Sequence, residues 1–240
     1  MILPDSIRRP LGCARRALCE AAGIPWYSRP ALNDLDRKLE RYLDFDGGFF
    51  VEAGANDGFT QSNTYYFERL RGWRGVLIEP IPELFERCKK MRSHSHVVQS
   101  ALVGPDYKGT TIDMQFAGLM SVTSDAFGDE GKRRAHIENA VNAAQMDESG
   151  AYIVSVPVNT LSKILEQASV TQEIDLLSLD VEGGEIMALE GLNRSLHSPR
   201  FICVEARLPD VIISMLSSTH ELVEVLTDKG DYQDILFRRR

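Results

Sequence analysis

Five carboxylates stand at the ends of apolar runs, where their chemistry can be used. Glu52 follows Phe49-Phe50-Val51, Glu79 follows Gly75-Val76-Leu77-Ile78, and Asp180 and Glu182 close Ile174-Asp175-Leu176-Leu177-Ser178-Leu179. Glu205 closes a further run that begins near Arg200. Directly after Glu52 comes Ala53-Gly54-Ala55-Asn56-Asp57-Gly58, whose glycines let backbone approach a ligand because they carry no Cβ. A buried strand, a glycine turn and a carboxylate at the tip of the next strand form a site for a nucleoside, the carboxylate taking the two ribose hydroxyls. Glu79 is in that position.

The loop itself narrows the cofactor. A dinucleotide site would carry G-x-G-x-x-G, but Asn56 and Phe59 occupy the second and third glycine positions. A phosphate-binding P-loop would end in Gly-Lys-Ser/Thr, which is absent. Glu52, two residues before Gly54, would repel a pyrophosphate but suits an ammonium or sulfonium group. S-adenosylmethionine carries both. The competing reading is an ordinary strand-turn-helix with loop glycines.

These residues need an alternating α/β frame to come together. The pattern predicts strands at 48–53, 75–79, 96–102, 174–180, 200–206 and 232–238. It predicts helices at 61–71, 82–92, 160–168, 184–191, 209–217 and 219–229. Short apolar strands with helical crossovers mean a mostly parallel, doubly wound sheet with helices on both faces. Ligands then bind beyond the carboxyl ends of the strands at the switch point. With strand 48–53 central and 174–180 beside it, Asp180 and Glu182 would flank the glycine loop, and Glu185 would open a helix.

Residues 110–116 and 152–158 read as two more strands, and the polar stretch between them makes an inserted lid around 117–150. The domain organisation expected is a helical extension, 1–47, followed by one unit, 48–240. Within the extension, Leu32, Leu35, Leu39 and Leu43 form one apolar stripe on a helix over 31–44. Such a stripe packs on a sheet; a homodimer face or a substrate cover is the alternative.

Composition limits the partners. The chain has 240 residues and a net charge of −8, so nucleic acid, which demands a surplus of Lys and Arg, is not an expected partner. Basic residues gather as Arg8, Arg9, Arg15 and Arg16 and as Arg238 to Arg240. They read as solvated termini, with a lipid or nucleic-acid patch as the alternative. Cys13, Cys19, Cys88 and Cys203 have neither metal-site nor C-x-x-C spacing. With no apolar run long enough to span a membrane and no export signal, the expected location is the cytoplasm.

Val51-Glu52-Ala53-Gly54-Ala55-Asn56-Asp57-Gly58, Ser62-Asn63-Thr64, Ile78-Glu79-Pro80 and Ile174 to Glu185 occur in order at regular spacing. Together they resemble the FkbM family of S-adenosylmethionine-dependent methyltransferases over residues 48 to 207. The resemblance implies a Rossmann-like class I methyltransferase fold and transfer to a hydroxyl of a sugar, oligosaccharide or glycan precursor. A polyketide or lipid hydroxyl, a carboxylate or a nitrogen is the alternative acceptor, and a non-catalytic nucleoside-binding module the alternative class. It also implies that Glu52, Gly54 and Asn56 line the methionine part of the cofactor, with Gly58, Asn63 and Pro80 beside them. Glu79 would bind the ribose, Ser100-Ala101 would flank the adenine, and Asp180 would face the methionine amino group or the acceptor.

Methyl transfer to a neutral hydroxyl gains from a general base. His136, the one histidine in the expected lid, and the carboxylates Asp180, Glu182 and Glu205 are the candidates. The same three acids are the candidate ligands of a Mg²⁺ ion that would orient the acceptor. Metal-free catalysis, with Asp180 foremost, is the alternative. No further antiparallel strand is expected after 232–238.

Overall fold

The computed structural model describes residues 5–117, 120–123 and 152–240. Helix α1 (Asp5–Ala21) and a 3-10 turn (Pro25–Tyr27) lead to α2 (Leu35–Glu40). Alternation then begins: β1 (Phe49–Ala53), α3 (Tyr65–Arg71), β2 (Arg74–Ile78), α4 (Pro82–Met91), β3 (His96–Val98). After β4 (Ala101–Leu102), β5 (Thr111–Ala117), β6 (Met120–Thr123) and β7 (Tyr152–Asn159), it resumes with α5 (Leu161–Gln167) and β8 (Leu176–Leu179). The chain closes with α6 (Glu185–Glu190), β9 (Phe201–Ala206), α7 (Pro209–Leu216), β10 (His220–Asp228) and β11 (Gln233–Arg239).

The main sheet has the order β10-β11-β9-β8-β1-β2-β3. Strands β3, β2, β1, β8 and β9 run parallel; β11 is antiparallel to both β9 and β10. Period-two alternation sends Phe50 to one face and Val51 and Ala53 to the other, all three nearly inaccessible to water. Phe50 meets Leu35 and Leu39 of α2 and Phe67 of α3. Val51 and Ala53 meet Leu161 and Leu165 of α5 and Ala188 and Leu189 of α6. Burial of each such large side chain is worth about 1.5–3 kcal/mol, which is why the central strands read as continuous apolar runs.

Several expected elements change. The helix over 31–44 is cut to α2, because Asn33 and Asp34 take left-handed backbone (φ 54° and 55°). Leu35, Leu39 and Leu43 nonetheless reach the sheet core, while Leu32 stays 45% exposed. Strand 96–102 divides: β2 ends at Ile78, whose partner is Val98, so the backbone beyond has no neighbour in the main sheet. Ala101 and Leu102 pair instead with β7 in a second sheet of order β4-β7-β5-β6. The helix expected over 219–229 is strand β10. Its ladder to β11 shifts register between Leu222 and Glu224 and again between Val225 and Thr227, and those irregularities erase the period-two signal. The extra antiparallel strand thus precedes 232–238 rather than following it. Of the lid expected over 117–150, Ala117 closes β5 and β6 pairs with it, while 118–119 and 124–150 lie outside the described residues.

Candidate active site

The glycine loop begins where β1 meets the end of β8. Gly54 has φ +84°, and a Cβ there would lie 1.7 Å from the carbonyl oxygen of Asp180. The amides of Gly54 and Ala55 both donate to Ile78 O, at 3.0 and 3.1 Å, which ties the turn to β2. Asn56 (φ 50°) donates its amide to Glu79 Oε2 at 2.8 Å, and Ile81 N donates to Oε1 at 2.9 Å. Glu79 is thereby fixed at the strand tip. Burial pushes its carboxyl up to about 7, against the pull of those two amides. Asp57 closes the loop by accepting from Phe59 N and Thr60 N.

A cleft of about 860 Å³, open to solvent, lies over these carboxyl ends. Seven of the ten expected cofactor residues line it: Gly54, Asn56, Glu79, Pro80, Ser100, Ala101 and Asp180. Thr60, Gln61, Leu84 and Met114 also line it, and none of them stood out in the sequence. Gln61, at φ 60°, and Glu182, at φ 54°, join Asn56 as left-handed non-glycine residues on the cleft wall. Backbone strain of this kind gathers where a site holds its loops in place.

Glu52, Gly58 and Asn63 do not line the cleft. The Glu52 carboxylate is buried beneath the loop and accepts from Asn63 N (2.9 Å), Ser62 Oγ (2.9 Å) and Thr64 Oγ1 (2.5 Å). A carboxylate so engaged holds residues 61–64 out of helix, which is why α3 starts at Tyr65 rather than at 61. Gly58 serves packing: a Cβ on it would sit 2.8 Å from Arg92 Cγ. Asn63 donates Nδ2 to Ser178 Oγ at 3.0 Å, and its buried Oδ1 has no partner among the described residues.

Arg92 completes this layer. Fully buried, it bonds Glu68 Oε2 (2.9 Å), Ser62 Oγ (3.0 Å), Thr64 Oγ1 (2.8 Å) and Gly58 O (3.2 Å), and lies 3.5 Å from Glu52 Oε2. The sequence holds no signal for it, since an arginine just past α4 belongs to no apolar pattern.

Past the end of β8, oxygens of Asp180, Glu182 and Glu205 lie within 4.8 Å of one another; Asp180 and Glu182 line the cleft and Glu205 does not. Asp180 Oδ1 is hidden from solvent and accepts no hydrogen bond among the described residues. Burial and the charges of Glu205 and Glu182 raise the Asp180 carboxyl well above its ordinary range. Burial, then Glu182, push Glu205 up to about 8, with Arg207 opposing. Arg207, which the sequence did not single out, bonds Glu182 at 2.6 Å and approaches Glu205 at 3.5 Å. A cation bound by the three acids would share them with that guanidinium. Glu185 opens α6 as expected, its Oε1 accepting from Gly183 N. His136 lies outside the described residues.

The profile of the methyltransferase FkbM domain matches residues 52–232. The chain belongs to the FkbM family of S-adenosylmethionine-dependent methyltransferases. In this FkbM methyltransferase the match runs from Glu52 through both carboxylate groups of the cleft. No curated protein gives a match. Among solved structures, the chain is similar to a TehB-like SAM-dependent methyltransferase of Corynebacterium glutamicum, at 12% identity and a TM-score of 0.46, over 98% of this chain and 100% of that one. It is also similar to a methyltransferase of Geobacter sulfurreducens (15%, TM-score 0.45, 99% and 91% covered). A third is Aeropyrum pernix fibrillarin with natively bound S-adenosyl-L-methionine (13%, TM-score 0.42, 85% and 75% covered).

The FkbM cleft fits the family's methyl donor chemically. The donor brings a ribose, an ammonium and a sulfonium, and the cleft offers a fixed carboxylate and an orphaned carboxylate oxygen. Among the described residues, no helix is long and apolar enough to cross a membrane.

Proposed function

We propose that this FkbM methyltransferase methylates a hydroxyl oxygen of a sugar, oligosaccharide or glycan precursor. The observation that carries the reading is the acid cluster at the end of β8: Asp180 and Glu182 line the cleft, Glu205 stands behind them with oxygens of all three within 4.8 Å of one another, and Asp180 Oδ1 has no hydrogen-bond partner among the described residues. In this reading residues 48–240 form the methyltransferase unit and 1–47 its extension. Glu79 takes the ribose hydroxyls, Ser100 and Ala101 flank the adenine, and Gly54 and Asn56 bring backbone to the methionine portion.

S-adenosylmethionine, when bound, supplies an electrophilic methyl group. The protein's own part is to align the acceptor oxygen and to take its proton. Alignment alone can supply about 7–11 kcal/mol of the barrier. Raised to about 8, Glu205 is protonated near neutral pH, and once ionised it is a stronger base toward a hydroxyl proton than an ordinary carboxylate, with Asp180 beside it. Among the described residues, an anionic acceptor such as a carboxylate would meet three acids with Arg207 as countercharge, which favours a neutral hydroxyl. The same acids also suit an amine, binding its ammonium form and, when ionised, taking the proton that frees the nitrogen lone pair for attack, which makes nitrogen transfer the second reading.

A labelled methyl-donor assay against oligosaccharides, glycolipid precursors, amines and carboxylic acids tests this. Incorporation into hydroxyl-bearing glycans is expected. Incorporation into amines alone would move the reading to nitrogen, and into carboxylates alone would end it.

A further inference from the structure

Over its described side chains, residues 12–21, helix α1 meets the rest of the molecule through polar groups. Glu20 accepts from Ser28 Oγ and Tyr65 OH, both at 2.8 Å, and from Arg69 at 3.0 Å. The Arg16 guanidinium lies 3.9 Å over the Phe59 ring. An amphipathic helix ordinarily buries its apolar stripe and leaves the polar face to water. Here the order is reversed. Leu18, two residues from both Arg16 and Glu20 and so on the opposite side of the helix, is turned outward and 73% exposed, with Ala14, Ala17 and Ala21 exposed around it. The 3-10 turn Pro25–Tyr27 folds back along the helix, Arg15 lying 4.0 Å over the Tyr27 ring, and presents Trp26 at 77% exposure.

Charge identifies what this face suits. In a chain of net charge −8, α1 carries Arg8, Arg9, Arg15 and Arg16 against Asp5 and Glu20; Arg16 is turned inward and pairs with Glu20 at 3.8 Å, while Arg15 is exposed. A basic helix with an exposed apolar face, an exposed Arg15 and an adjacent Trp and Tyr is the pattern of an interfacial helix, its aromatic rings at headgroup depth and its exposed arginine on lipid phosphate. A second copy of the chain fits less well, because a two-fold contact would bring two arginine-rich helices together.

We propose that α1 and the Pro25–Tyr27 turn dock this methyltransferase on an anionic lipid surface, with Leu18 and Trp26 entering the headgroup boundary. The contact flanks the cleft: Phe59, under Arg16, is followed directly by Thr60 and Gln61 of the cleft wall. An acceptor carried on a lipid would therefore be presented beside the site.

The test uses the full chain with vesicles of phosphatidylcholine alone or mixed with phosphatidylglycerol. Cosedimentation is expected with the mixed vesicles at low salt, and is expected to fall at high salt as screening removes the attraction. Trp emission should shift to the blue on binding. Trp73 is only 1% exposed, so the change reports on Trp26. Leu18→Ser and Trp26→Ser should each weaken vesicle binding about tenfold, the loss expected from one large apolar group. S-adenosylmethionine affinity should be unchanged in both variants, which separates this inference from the proposed chemistry. No binding to mixed vesicles at low salt, or full binding by the double variant, would overturn it. A solution dimer that Leu18→Ser dissociates would assign the face to a second copy instead.

Discussion

A Cβ on Gly54 would stand 1.7 Å from the carbonyl oxygen of Asp180, so the glycine loop after β1 and the end of β8 meet at a contact that only glycine permits. The glycine loop and the acidic strand end are thus one object, although they lie far apart in the chain. Gly54→Ala would force a backbone shift and strain a residue at φ +84°. A stability loss of at least about 1–3 kcal/mol is expected, which corresponds to roughly 2–4 °C in Tm per kcal/mol for a chain of this size. S-adenosylmethionine binding should be lost even at temperatures where the variant is folded. Calorimetry showing wild-type affinity would sever the link between this contact and the site.

Glu79→Gln removes an acceptor that holds Asn56 N or Ile81 N in addition to any ligand contact. S-adenosylmethionine affinity should fall by about 1.5–3 kcal/mol, the range for hydrogen bonds to a charged group. An unchanged dissociation constant would take Glu79 out of the cofactor site.

Arg92 is the only counter-ion that Glu68 shows in its buried layer among the described residues, and the nearest cation to Glu52. Arg92→Met leaves two carboxylates uncompensated and should cost about 3–5 kcal/mol in urea unfolding. Arg92→Lys keeps the charge but not the planar fork that reaches Glu68, Ser62, Thr64 and Gly58 together, so it should recover only part of the loss. Full recovery by lysine would mean that charge alone, and not the bond pattern, supports the loop.

Glu79 at about 7 and Glu205 at about 8 are raised in the folded state. Such acids hold a proton that the unfolded chain has already released, so their contribution favours the fold at low pH and is lost as pH rises through the folded values. His220, held below its usual 6.5 by burial, acts in the opposite sense but only below that value. Thermal stability of the ligand-free protein should therefore decline between pH 6.5 and 8. Glu205→Gln should flatten the decline, and a profile that rises over this window would show the carboxyls to be ordinary.

Arg207 pairs with Glu182 and approaches Glu205, so the acids have a protein cation at hand. Chelation with EDTA should leave methyl transfer unchanged. A loss restored by Mg²⁺ would mean that the ion displaces Arg207 and that the three acids are its ligands.

The central strands were legible in the sequence because both faces of a parallel sheet are covered, which leaves β1, β2, β8 and β9 as apolar runs with acids at their ends. Those ends define the cleft in any doubly wound sheet, so Glu79, Asp180 and the glycine loop could be placed from the chain alone. What the sequence could not determine is which way each carboxylate turns. Glu52 ends a strand as Glu79 does, yet it points beneath the loop to Ser62, Asn63 and Thr64 because Arg92, brought in by α4, waits there. The strand β10 was hidden for a related reason: its register shifts are set by the pairing with β11, and no local pattern records them. Side-chain direction at a strand end and bulge position in a hairpin both depend on partners distant in the chain, and only the folded structure supplies them.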